Sequence, residues 1–238
     1  MMRVVHTFLP LLLATSLLGA CTPHVNGSGP VERKAISAEP FHGVDLSGSL
    51  EVIISHGATQ KIEVEAQANL IALVTTEVRN GHLKLSTKES YSTNKPFIIH
   101  ITVPALDHVS ISGSGDVTST TPFKTEAFEA QVNGSGDVDM VIEGGTVKAD
   151  LNGSGEIKLS GSAVSLEAHV KGSGDVKAGN LRTGTAKAVV VGSGDITVDA
   201  ATLDAHITGS GDVKYKGQQP TVTSHITGSG SVRHVNEK

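Results

Sequence analysis

The triplet Gly-Ser-Gly occurs at 113–115, 134–136, 153–155, 172–174, 192–194, 209–211 and 228–230, with spacings of 21, 19, 19, 20, 17 and 19. An acid follows six of the seven: Asp116, Asp137, Glu156, Asp175, Asp195 and Asp212, with Ser231 at the seventh. A β-branched residue comes next each time: Val117, Val138, Ile157, Val176, Ile196, Val213 and Val232. Two residues before each triplet stands another apolar residue, from Ile111 and Val132 to Ile207 and Ile226. This even spacing, with glycines between, is the alternation of a strand. Two glycines per unit exclude a helix, where each would cost about 1 kcal/mol. A recurring unit of about 19 residues with short strands specifies a solenoid, each unit being one coil of a parallel β-helix. One coil cannot bury its inner face alone, so successive coils stack at the strand spacing of about 4.8 Å.

In such a stack glycine lies over glycine and serine over serine. The glycines answer a sharp turn or a close backbone approach. The acids accept backbone N–H bonds, as aspartates do in turns. The exposed result is a ladder of Ser114, Ser135, Ser154, Ser173, Ser193 and Ser210 beside Asp116, Asp137, Glu156, Asp175, Asp195 and Asp212. It is the most repeated polar chemistry in the chain and the candidate contact face.

The region before the repeats is also strand-like. Leu50, Val52 and Ile54 share one parity, as do Ile62 with Val64, and Phe97 with Ile99, Ile101 and Val103. Asn80-Gly81, between Val78 and Leu83, reads as a hairpin or corner turn. Residues 31–110 are expected to form less regular coils continuous with the repeat coils of 111–235, giving one domain over 31–238. A separate small β domain is the alternative.

The N-terminus carries an address. Arg3 and His6 precede an apolar run from Phe8 to Leu18, too short to span a bilayer but suited to a signal peptide. It ends in Leu18-Gly19-Ala20-Cys21, where Cys21 is the sole cysteine. This resembles the lipobox of bacterial lipoproteins. The resemblance implies cleavage between Ala20 and Cys21, removal of residues 1–20, and a membrane anchor through lipid on Cys21. Residues 21–30 then read as a flexible tether. The expected location is the exported face of the cell envelope, with the outer membrane favoured.

Composition narrows the function. A net charge of −5 with 18% charged residues argues against a nucleic-acid binder held by a basic surface. Aromatics are 3%, so the core is aliphatic and few rings are available to stack on sugars. Phe123 and Phe128 fall in the longest spacing, where an enlarged loop could expose them. Packing over the coil edge is the favoured reading. Stacked acids about 5 Å apart repel by roughly 0.8–1 kcal/mol in water. Ca²⁺ could relieve this, since carboxylates are hard oxygen ligands, but the plainer reading is that each acid tethers its own turn. No cofactor or structural metal is expected. His206 and His225 should stack on adjacent coils, but without a third ligand in register they read as surface imidazoles. No acid pair stands out for acid–base catalysis, and the triplets precede strands rather than the helix N-termini of phosphate loops. The chain is therefore not expected to be an enzyme.

The serial Gly-Ser-Gly-acid-apolar units resemble a known family. So do the Pro104-Ala105-Leu106 approach to the first unit, Gly43-Val44-Asp45-Leu46 with Leu50-Glu51-Val52, and Tyr215-Lys216-Gly217-Gln218-Gln219-Pro220. The chain is similar, over roughly 36–235, to the bacterial "putative auto-transporter adhesin, head GIN domain" proteins. The resemblance implies a right-handed parallel β-helix on a lipoprotein or secreted chain. The function expected is a non-catalytic adhesin or envelope interaction scaffold that binds a protein or glycan surface. A polysaccharide-active enzyme and a purely structural envelope protein are the alternatives. An open edge after Val232 leaves room for an end-to-end homodimer.

Overall fold

A computed structural model describes residues 24–217 and 220–235. Cys21, Ala20 and the signal segment lie outside them. Strands make up 73% of the structure, with one short helix. The N-terminal part comprises β1 (His24–Asn26), β2 (Val31–Ile36), β3 (Gly43–Gly48), β4 (Glu51–His56), β5 (Lys61–Gln67), the one-turn helix α1 (Ala68–Ile71), β6 (Val74–Arg79), β7 (His82–Thr87), β8 (Ser90–Ser92) and β9 (Ile98–Val103). The repeats follow as β10 (His108–Gly113), β11 (Asp116–Ser119), β12 (Phe123–Gly134), β13 (Asp137–Gly153), β14 (Glu156–Gly172), β15 (Asp175–Gly192), β16 (Ile196–Gly209), β17 (Asp212–Lys216), β18 (Thr221–Gly228) and β19 (Ser231–His234).

Each long strand runs from one Gly-Ser-Gly corner to the next and changes face midway. In β13, Val138, Met140 and Ile142 point inward, then Val147, Ala149 and Leu151 do. The one-residue change in parity at 143–146 is the second corner of the coil. Successive coils pair in parallel, so that Gly134 meets Gly153, Gly153 meets Gly172 and Gly172 meets Gly192. The result is a β-solenoid of about seven turns. Its interior is made of stacked aliphatic rows. Ile111, Val132, Leu151, Val170, Val190 and Ile207 are each at most 1% exposed, as are Val117, Val138, Ile157, Val176, Ile196 and Val213. Spacing changes are absorbed away from the glycine corners, at register shifts between Lys158 and Ser160 and between Ala178 and Arg182.

The solenoid begins earlier than the triplets indicate. β3 and β4 form a full coil, with β3 beside β10 and β4 beside β11 in parallel. Its corner is Gly48-Ser49-Leu50, in register with Gly113-Ser114-Gly115. Below it the expectation of coils throughout 31–110 gives way. β7 and β9 continue the parallel stack, but β5 runs antiparallel to both β9 and β2, and β6 antiparallel to β7. The β6–β7 reversal is the Asn80-Gly81 hairpin, with φ of 54° and 78°. These reversed strands close the bottom of the stack, where buried Leu70 and Ile71 of α1 also pack.

Residues 24–29 are not free tether either. β1 pairs with β8, Asn69 binds the Asn26 carbonyl and the Ser28 N–H, and the Gln67 amide donates to the Gly29 carbonyl. Val25, half-buried against the core, adds an apolar contact to these polar ones. Phe123 and Phe128 are 1% and 2% exposed and belong to the core. At the other end the stack is open: β18 pairs with β16 and β19 with β17, and among the described residues neither has a second strand neighbour. Ile226 is accordingly 44% exposed, where Ile207, one coil back, is 1%.

Candidate functional site

The corner ladder is built from three chemistries that do different work. The first glycine of each triplet has φ between +127° and +139°, a left-handed conformation that side chains rarely adopt. The second glycine faces the axis and is buried in every triplet but the last, where Gly230 at the open end is half-buried; a Cβ on Gly155 would collide with the carbonyl oxygen of Gly136. Between them the serine N–H bonds across coils: Ser135 to Gly113, Ser154 to Gly134, Ser173 to Gly153, at 2.9 Å in each case. The backbone is thus satisfied without the side chain. The hydroxyls of Ser114, Ser135, Ser154, Ser173, Ser193 and Ser210 are all exposed, and among the described residues none bonds to another protein group. Ser229 continues the same exposed file upward. Ser49 begins it, its hydroxyl 3.5 Å from that of Tyr91.

The acids behave differently. The Asp137 carboxylate accepts the N–H of Glu156 at 2.8 Å, Asp175 that of Asp195 at 3.0 Å, Asp195 that of Asp212 at 2.9 Å, and Asp212 that of Ser231 at 2.9 Å. Each of these aspartates staples the following coil rather than its own turn, whereas Glu156 takes the Lys177 ammonium of the following coil instead of a backbone N–H. Cations take the remaining oxygen of two of the aspartates: Lys214 on Asp195 at 2.7 Å and Arg233 on Asp212 at 3.1 Å. Burial works against the charge of Asp195, but Lys214 and the Asp212 N–H outweigh it and hold the carboxyl below the usual aspartate range. Asp116, at the lower end, has only the Asp137 N–H. Its burial, with the Asp137 charge alongside, raises its pKa.

On the adjoining face charge alternates up one column: Glu129, Lys148, Glu167, Lys187 and Asp204 are in register on successive coils. Lys148 lies 2.6 Å from Asp150 and 3.1 Å from Glu129, which hold its pKa well above the usual lysine range. In the next column the expected His206–His225 stack is present, with ring centroids 5.0 Å apart and planes 5° from parallel. Asp204 Oδ1 lies 3.0 Å from His206 Nε2 and joins the pair, a third group that strand register alone did not reveal.

Residues 40–220 match the family model described as "Putative auto-transporter adhesin, head GIN domain". The chain belongs to this family. Solved structures share this fold. A protein from Bacteroides fragilis described as a putative adhesin is 27% identical, with a TM-score of 0.83 over 89% of this chain and 100% of that one. A protein from Parabacteroides distasonis described as a putative lipid binding protein is 27% identical, with a TM-score of 0.73 over 90% and 100%. A putative adhesin from Parabacteroides merdae, at 22% identity and a TM-score of 0.69 over 90% and 99%, shares the fold. No curated protein matches. No described helix of this GIN-domain chain is long and apolar enough to cross a membrane.

Proposed function

We propose that the chain is a non-catalytic surface-interaction protein, an adhesin in the broad sense, whose contact face is the serine file of the Gly-Ser-Gly corners. The supporting observation is that these hydroxyls are the ladder groups left over once folding is satisfied. The glycines shape the corner and the acids staple the coils, while the serines offer a straight array of donors and acceptors at steps of about 4.8 Å. A repeating ligand surface, such as a glycan or an extended matrix protein, matches such an array. Lipid on Cys21 would hold the domain at the exported face of the envelope. With residues 24–29 docked, the anchoring segment is short and the solenoid stands close to the membrane.

The test is a glycan and matrix binding screen on the wild-type chain and on Ser135→Arg/Ser154→Arg/Ser173→Arg. Bulky charges on exposed positions should leave thermal stability within a few degrees and weaken binding by about tenfold or more. Undiminished binding by the folded triple variant would remove the serine file as the contact face. Turnover of a bound glycan would remove the non-catalytic reading.

A further inference from the structure

The outward face of the first coil carries a second constellation, remote from the serine file. His82 on β7 and His108 on β10 flank the same residue of β3, Gly43, in the register of the sheet. Two strands would ordinarily separate such side chains by nearly 10 Å. Here both imidazoles lean into the space above Gly43 and stack, with centroids 4.5 Å apart and planes at 23°. The glycine makes this possible: a Cβ there would lie 2.7 Å from Cδ2 of His82. Asp45, two residues along β3, turns Oδ1 toward both rings, 3.2 Å from His108 Nε2 and 3.6 Å from His82 Nδ1. Its other oxygen is taken by Lys84 at 3.0 Å.

We propose that Asp45, His82 and His108 form a binding site for a borderline divalent transition metal of the Zn²⁺ class. The three ligand atoms lie within 4.8 Å of one another. Donors bound at 2.0–2.1 Å around a tetrahedral ion are separated by about 3.3 Å, so the carboxylate-to-imidazole distances already approximate two edges of that figure. Two nitrogens and one oxygen favour zinc, cobalt or nickel over Ca²⁺, which takes six to eight oxygens. The surroundings fit as well. The far nitrogen of His108 lies 3.5 Å from Glu129, the carboxylate–histidine arrangement that orients metal-binding imidazoles. His42, held 2.8 Å from Asp107, packs edge-on against His82 at 5.7 Å. Three carboxylates, Asp45, Asp107 and Glu129, face two ammonium groups, Lys84 and Lys148, leaving a local negative charge for the ion. A groove of about 440 Å³ lined by His42, His82, His108 and Glu129 opens beside the site and gives access to a fourth coordination position.

The test is calorimetric titration of the untagged full chain, with Cys21→Ser to remove the thiol, by Zn²⁺ and separately by Co²⁺. We expect one high-affinity ion per chain, with Kd tighter than about 100 μM, and tetrahedral cobalt absorption bands. His82→Ala and His108→Ala should each weaken binding by more than about a hundredfold, and Glu129→Gln by about 10–100-fold. His206→Ala/His225→Ala, which dismantles the other histidine stack, should leave the high-affinity ion in place. Circular dichroism shows whether each variant is folded. Three outcomes overturn the proposal: no saturable binding by the wild-type chain, unchanged affinity in the folded His82→Ala and His108→Ala variants, or loss of the ion in His206→Ala/His225→Ala.

Discussion

At Gly155 and Ser154 two neighbouring residues of one corner carry opposite burdens. Gly155 faces the axis against the Gly136 carbonyl, so a single methyl group must displace the backbone of the preceding coil at Ser135 and Gly136. Ser154 contributes its N–H to the stack and its hydroxyl to solvent. Gly155→Ala should therefore cost about 1–3 kcal/mol or more, while Ser154→Ala should stay within about 0.5 kcal/mol. Urea unfolding of the two variants measures the contrast; equal effects would mean that the glycines are not needed for close approach. This division was partly legible in the sequence. The triplet marks the corner, and its even spacing from Leu151 and Ile157 puts the second glycine on the inward face. The partners of the acids were not legible, because the N–H that Asp137 accepts lies 19 residues away and only coil stacking brings it there. Asp204 was hidden for a related reason. Its equivalents one and two coils back are Lys187 and Glu167, so no repeated ligand marks the column.

Among the elements, the staples between coils give the stack its response to acid. A carboxyl held below its ordinary pKa stabilises the fold while ionised. For Asp195 that contribution is complete above about pH 3.9 and is lost as the pH falls through the lower folded value. Asp116 has the opposite sign: its raised pKa means that ionisation in the fold costs stability at neutral pH, and the cost disappears on acidification. Asp195→Asn should lose about 1 kcal/mol at pH 7, the scale of a partly buried charge-assisted pair, with the deficit shrinking at pH 3. Asp116→Asn keeps an oxygen for the Asp137 N–H and should equal or exceed the wild type at pH 7. Thermal melts at the two pH values test both; equal deficits at pH 7 would contradict the assignment. Strand direction below β3 was beyond the sequence. Alternation in Ile62 and Val64 is the same in a parallel or antiparallel strand, so β5 read as another coil. Only the Asn80-Gly81 turn announced its reversal, because its left-handed backbone needs those residue types.

The whole molecule is a short rod with unlike ends. Reversed strands and α1 cover one; at the other, β18 and β19 present unpaired edges and half-exposed apolar residues. Eight corners, from Gly48 to Gly228, stack in register along it, about 34 Å at one strand spacing per step. Both proposed surfaces depend on this stacking: the serine file is straight because the coils are in register, and His82 reaches His108 because Gly43 lies between them. The direct measurement is pulsed electron–electron distance spectroscopy on spin labels placed at Ser114 paired with Ser193, Ser210 or Ser229, in a chain carrying Cys21→Ser. The distances should rise by one strand spacing per coil, to about 19, 24 and 29 Å before the label arms are added. Distances that fail to increase in that order, or that spread as broadly as an unstacked chain would, would contradict the solenoid and both surfaces with it.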